Sequence, residues 1–203
     1  MTRLLGRVAL ITGAARPVGN AVVSCFSAAG ITVIALDDDV SAIDASAIAA
    51  GVHGDPACPD AVGEAVAVGI ERFGRIDMLF TGVPTLEAAL AGARHALTAM
   101  GARGGSIVNL ADAPGSPTDG YESHAAAARH GGIVALTRSM AATYAGHGIR
   151  CNAVCLPAPA AHGWPGRRSS LRDLATTALH LSSPHAAFLT GTVVEPEPAR
   201  WAA

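Results

Sequence analysis

The residues with the most chemical potential stand between Asp112 and His130. Asp112, Asp119, Tyr121, His124 and His130 bring two carboxylates, a phenol and two imidazoles into one short stretch. Such groups carry protons, and histidine does so closest to neutral pH. His124 beside Asp119 or Asp112 would form an acid/base pair. His124, His130 and Asp112 are also metal-ligand types, but their spacing matches no strong signature, and no metal site is expected. The plainer reading is a polar loop with scattered histidines. His95 and His180 fall in other segments and are expected on the surface or in the core.

A second group could hold an anion. Val8-Ala9-Leu10-Ile11 runs into Thr12-Gly13, followed by Arg16, Pro17, Gly19 and a small, apolar stretch from Ala21 to Ala29. This is the pattern of a buried strand, a tight turn and a helix. The glycines permit a sharp turn, and the helix start offers N–H groups to a phosphate. After a second strand, Ile31 to Leu36, come Asp37, Asp38 and Asp39. An acid at that point of a dinucleotide-binding fold holds ribose hydroxyls and repels a 2′-phosphate, so Asp37 favours NAD over NADP. A solvated acidic turn is the competing reading.

The elements that must position these groups follow in order. Val40 to Ala50 is too short for a helix plus a strand, so a turn is expected before a third strand, Ala47 to His53. Cys58 to Phe73 has helical spacing, with Asp60 as a candidate cap and Gly63 a weak point. Ile76 to Phe80 is a fourth strand, Leu86 to Met100 an alanine-rich helix, Gly105 to Leu110 a fifth strand and Gly131 to Tyr144 a helix. Gly148 to Val154 is a sixth strand, Pro157 to Pro165 a loop, Leu171 to Leu181 a helix and Thr190 to Val194 a seventh strand. The expectation is one α/β domain over residues 1–203: a Rossmann-like, doubly wound, mostly parallel sheet with helices on both faces.

Composition narrows the partners. Half of the 203 residues are hydrophobic, 15% are charged, and the net charge is −2 without a basic run. Nucleic acid and membrane are not expected, and the reading is a cytoplasmic protein. Cys25, Cys58, Cys151 and Cys155 show neither zinc nor thioredoxin spacing, and are read as buried thiols.

Residues 4 to 198 resemble the short-chain dehydrogenase/reductase family. Thr12, Gly13 and Gly19 match its glycine-rich turn, Gly105-Ser-Ile-Val-Asn-Leu110 its fifth strand, and Gly131 to Tyr144 one of its long helices. The resemblance implies hydride transfer between NAD(P) and an alcohol or ketone, by a tyrosine, a lysine four residues later, a serine and an asparagine. It gives Asp55 a place near the adenine. It also implies pairing through Leu86–Met100 and Gly131–Tyr144, where Ala89, Ala93, Ala96, Gly132 and Ala135 would allow close helix approach.

The chain departs from that pattern at nearly every working position. The middle glycine is Pro17. The N-N-A-G after the fourth strand reads Thr81-Gly82-Val83-Pro84. The asparagine falls on Ala89, the serine on Asp112, the tyrosine on Ala126 and the lysine on His130. The nicotinamide turn reads Cys155-Leu156-Pro157, and the substrate-covering segment is short. Tyr121 is the one nearby phenol, yet Ala125 stands four residues on. The first reading is thus a catalytically inactive or impaired structural or regulatory subunit, paired with itself or an active relative, with no cofactor or a weakly bound NAD(H). The second is an NAD-dependent oxidoreductase using Tyr121 with Asp112 and His130. The third is a non-redox cyclase, isomerase or lyase on the same fold.

Overall fold

Five-residue runs of small and branched apolar side chains make the strands of this protein buried on both faces. β1 (Val8–Thr12) is buried throughout, and β2 (Thr32–Asp37) nearly so. Such strands belong inside a parallel sheet covered by helices. The computed structural model describes residues 4–112, 121–156 and 170–195. There β1, β2, β3 (Ala50–His53), β4 (Met78–Thr81), β5 (Gly105–Ala111), β6 (Ile149–Cys155) and β7 (Val193–Val194) form one sheet, in the order β3-β2-β1-β4-β5-β6-β7. Every pairing is parallel. The direction of winding reverses between β1 and β4, which places a crevice at their C-terminal ends.

α1 (Pro17–Ala28) and α5 (Leu171–Ser182) pack one apolar layer onto the sheet, through residues such as Phe26, Ile11, Phe80 and Leu174. α2 (Pro59–Phe73), α3 (Leu86–Met100) and α4 (Tyr121–Tyr144) pack the other, around Leu10, Leu79 and Ile107. The fold therefore has the expected class and layering.

Several boundaries move. The link between β2 and β3 is two single 3₁₀ turns, Val40–Ala42 and Ala45–Ala47, as its length required. β3 begins at Ala50 rather than Ala47, and β7 has only two residues. Cys58 is the N-cap residue of α2 without a side-chain bond, and Asp60 lies inside the first turn. Asp60 there complements the helix dipole instead of capping. The largest correction is α4, which starts at Tyr121, ten residues before Gly131. Ala125 to Ala128 have high helix propensity and carry the helix backwards past the two glycines. Tyr121, His124 and His130 are thus helical rather than part of a loop. Asp119, Pro157–Pro165 and Pro196–Pro198 lie outside the described residues.

The lower edge of the sheet is tied by Asp77. Its carboxylate accepts from Arg7 Nη1 at 2.7 Å, Arg75 Nε at 2.8 Å and the Val8 N–H at 2.9 Å. Burial alone would raise this carboxyl's pKa. Hydrogen bonds from Arg75, Val8 and Arg7 outweigh that and hold it below the usual carboxylate range. A depressed folded-state pKa contributes stability above the unfolded value of about 3.9, lost as pH falls through the folded one. Asp77→Asn should therefore cost about 1–2 kcal/mol at neutral pH, discounted because both arginines are partly exposed. It should also flatten the loss of stability below pH ~4, as read from urea midpoints across the acid range.

Candidate functional site

The crevice at the C-terminal ends of β1, β4, β5 and β6 collects the residues that chemistry would need. β1 ends in Thr12, which is fully buried; its carbonyl accepts the Gly82 N–H at 2.8 Å. Its Oγ1 has no hydrogen-bond partner among the described residues. Gly13 follows with φ 66°, a left-handed conformation that favours glycine. Gly19 lies on the first turn of α1 against this bend. A Cβ there would land on the Gly13 carbonyl oxygen and 2.8 Å from Ala14 Cα. Gly19 is thus what lets helix and strand meet.

The floor of the turn is kept, but its mouth is filled. A Cβ at Gly13 would meet Val83 Cγ2 at 2.8 Å, so the Val83 side chain stands over the bend. Pro17 is the first residue of α1 and brings no N–H. Arg16, its extended N-cap residue, is exposed.

Asp37 ends β2 and is only 2% exposed. Its carboxylate accepts the Ala15 N–H at 2.9 Å and the Asp39 N–H at 3.2 Å, binding the second strand to the glycine turn. Burial would raise its pKa, but bonds with the Asp38 side chain and these two N–H groups, with the charge of Arg16, hold it below the usual range. Asp38 is pushed up by the Asp37 carboxylate beside it. Only Asp38 and Asp39 form the solvated turn. Asp55 is exposed, and its Oδ1 accepts the Ala57 N–H at 2.9 Å in the bend before α2.

The polar trio under the crevice is intact. Thr81 Oγ1 donates to Asn109 Oδ1 at 3.1 Å, and Asn109 Nδ2 donates to Thr137 Oγ1 at 3.0 Å. All three are fully buried and join β4, β5 and α4. Thr81, at the first position of the stretch that stands in place of N-N-A-G, thus ties β4 to β5. Thr85 Oγ1 accepts the Ala88 N–H and caps the start of α3. Ala89 is fully buried and has no polar side chain to offer.

At the end of β5, Asp112 meets α4. Arg129 Nε donates to Asp112 Oδ2 at 2.7 Å, and His130 Nδ1–H donates to the Asp112 carbonyl at 2.9 Å. His130 Nδ1 also lies 3.9 Å from Cys155 Sγ. The structure thus brings together two of the three candidate catalytic residues, Asp112 and His130. It adds Arg129, which neutralises the carboxylate. In the sequence analysis Arg129 is not paired with Asp112, because the expected helix begins at Gly131 rather than Tyr121. Tyr121 is the first residue of α4, nine residues before His130, or roughly 13 Å along the axis. His124 is exposed. Among the described residues no group of three histidine, cysteine or acidic side chains could hold a metal ion.

Cys155 cannot serve as a nucleophile. Burial pushes its thiol, and that of Cys151, up to about 12. Neither is a thiolate at neutral pH. Native alkylation at pH ~8 should label the less buried Cys58 and leave Cys151 and Cys155 unmodified until the protein unfolds. Labelling of Cys155 as fast as Cys58 would refute this.

All 14 basic residues other than histidine are arginines, and no lysine occurs anywhere in the 203 residues.

Comparison with known proteins agrees with the fold. A family model described as Enoyl-(Acyl carrier protein) reductase matches residues 84–163. The chain is 31% identical to xanthoxin dehydrogenase of Arabidopsis thaliana over 75% of its length, and spans 65% of that relative. It is 30% identical to cis-4-hydroxycyclohexanecarboxylate dehydrogenase of Sinomonas cyclohexanicum, over 93% of this chain and 94% of that one. A solved structure assigned to the short-chain dehydrogenase/reductases, from Burkholderia xenovorans, superposes with a TM-score of 0.82 at 28% identity, covering 95% of both chains. With the parallel sheet, the glycine turn and near-complete coverage at this identity, the chain belongs to the short-chain dehydrogenase/reductase family.

Proposed function

We propose that the chain is a shortened, divergent, non-catalytic family member acting as a structural or regulatory subunit. It would form one domain over residues 1–203 and pair in the cytoplasm with itself or an active relative. The observation that carries this reading is the absence of any lysine from the sequence. The family's proton relay needs a phenol with an ammonium four residues on. Here those positions are Ala126 and His130, and His130 is engaged with Asp112.

Shortening is supported by the alignment to the Sinomonas relative, which runs over 235 positions, more than this chain has residues. The nucleotide site points the same way. Asp37 would still suit a ribose, but its carboxylate already holds Ala15 and Asp39, while Val83 and Pro17 crowd and impoverish the phosphate end. These residues do not fit tight NAD(H) binding.

The second reading, an NAD-dependent oxidoreductase working through Tyr121, draws support from the dehydrogenase names of the relatives and from Asp37. A turnover assay separates the two. With NADH and a panel of small ketones the chain should show no oxidation above background. Any residual rate should be unchanged by Tyr121→Phe. A loss of roughly 10²-fold or more in that variant, with its circular dichroism intact, would overturn the non-catalytic reading.

A further inference from the structure

β6 is the last full strand of the sheet, and little of its outer edge is paired with another strand. β7 covers it only where Ala153 meets Val193 and Val154 meets Val194. The neighbouring positions are covered by the irregular chain between α5 and β7. There the Gly191 N–H donates to the Cys151 carbonyl at 2.7 Å, and the Ala153 N–H to the Thr192 carbonyl at 2.9 Å. The Cys151 N–H donates to the Thr190 hydroxyl at 3.2 Å.

This irregular chain has few apolar anchors. Ala186 is the one buried residue between Pro184 and Glu195, and Phe188 is 80% exposed. Its hold comes from two polar side chains of β6. The Arg150 guanidinium donates to the carbonyls of Leu181 at 2.6 Å, Ser183 at 3.2 Å and Leu189 at 3.3 Å. One side chain thus fastens the start of the segment to a point well along it. Asn152 Nδ2 donates to the Leu189 carbonyl at 3.1 Å, and its Oδ1 accepts the Thr192 N–H at 3.0 Å.

Such a segment opens at little cost. Local stability follows buried apolar contact, and polar bonds at an edge can be exchanged for bonds to water. Arg150 and Asn152 would not be stranded, because departure of the segment bares the edge on which they stand. α5 would stay in place. Leu174, Ala175, Ala178 and Leu181 are buried beneath it, and Ser106 Oγ also holds the Leu181 carbonyl at 3.2 Å. Ser183, extended at the end of α5, forms the hinge.

We propose that residues 184–194 form a strap that opens as one unit while the rest of the domain stays folded, with Arg150 and Asn152 as its latch. Opening bares the β6 edge at Cys151 and Ala153. It also withdraws Val193 from Ala111, Ile133 and Cys155, the apolar cluster beside the Asp112–His130 contact, and so loosens one wall of the crevice. The strap does not depend on whether the chain turns over a substrate.

Native-state hydrogen exchange on the full chain tests this, comparing the amides of Ala153, Gly191 and Thr192 with those of Leu10 and Ile11 in β1. In the wild type the first three should exchange at least about tenfold faster, relative to their intrinsic rates, than the β1 pair. Ile34→Val weakens β2, which four strands separate from the strap. It should speed the β1 amides by about fivefold and leave the strap amides unchanged. Arg150→Met removes the latch from the closed form, so it should speed the strap amides at least about tenfold. Strap amides as slow as those of β1 in the wild type, or accelerated together with them by Ile34→Val, would mean that the segment opens only with the whole domain and would overturn the proposal. Unchanged exchange of Gly191 and Thr192 in Arg150→Met would overturn the latch. The wild-type and Ile34→Val measurements decide the strap even if Arg150→Met does not fold.

Discussion

Gly19→Ala is expected to leave most of the chain unfolded at room temperature. The new methyl group would land on the Gly13 carbonyl oxygen and press on Ala14 Cα. Both are backbone atoms of the β1–α1 bend and cannot rotate away. Relief requires α1 to lift from a sheet to which it is sealed by Val22, Val23 and Phe26, all fully buried. Lifting that face exposes several large side chains, each contributing about 1.5–3 kcal/mol, against a total stability of about 5–15 kcal/mol. A cost above about 3 kcal/mol is expected, read as a collapse of the urea midpoint. Gly131→Ala is the control. Gly131 lies in α4 with nothing near a new Cβ, so the helix should gain roughly 0.5–1 kcal/mol. If both variants behave alike, the packing role of Gly19 is wrong.

Asn109→Ala is expected to be nearly as damaging. Asn109 is fully buried between Thr81 and Thr137, accepting from one hydroxyl and donating to the other. Its removal leaves both hydroxyls without that partner and opens a cavity in the middle of the sheet. Each stranded buried polar group costs about 1–3 kcal/mol, and the cavity adds to it. A total of about 3–4 kcal/mol is expected, measured by thermal or urea unfolding. Thr137→Val should cost less, because one hydrogen-bonding group leaves and the shape is kept. A loss below about 1 kcal/mol for Asn109→Ala would show that the trio does not tie β4, β5 and α4 together.

These two sites explain how much of the molecule was legible in its sequence. The sheet could be read because strands such as Val8–Thr12 and Gly105–Ala111 are buried on both faces, and burial leaves an uninterrupted apolar run. The short β2–β3 link was legible from length alone. The start of α4 was not, because Gly131 and Gly132 look like a boundary while the alanines before them are neutral to any hydrophobic pattern. The helix outweighs two glycines because Ala125 to Ala128 have high helix propensity and its inner face packs on β6.

The candidate site divides in the same way. The register of the downstream helix put His130 and Asp112 at working positions, but the bond of His130 to the Asp112 carbonyl does not follow from it. The acid/base pair expected from the sequence used His124, which is exposed. The ion pair of Arg129 with Asp112 does not follow either, since it depends on a helix that had been read as a loop. The interior position of Ala89 and Ala96 was also hidden. A small residue at helical spacing fits a partner's surface as well as the chain's own core, and only the helix's orientation tells the two apart. Asp37 was placed correctly at the end of β2, but its bond to the Ala15 N–H depends on how the glycine turn folds back.

On the non-catalytic reading proposed above, the scaffold that shapes the nucleotide crevice is retained, while the groups that bind and use a nucleotide are not. Calorimetric titration of NADH into the wild-type chain tests it most directly. With Val83 over Gly13 and Pro17 in place of an N–H donor, the dissociation constant should be weaker than ~1 mM, or less than about 4 kcal/mol of binding free energy. A constant in the low micromolar range would contradict the account, because affinity of that order requires the phosphate end of the site to be open and furnished.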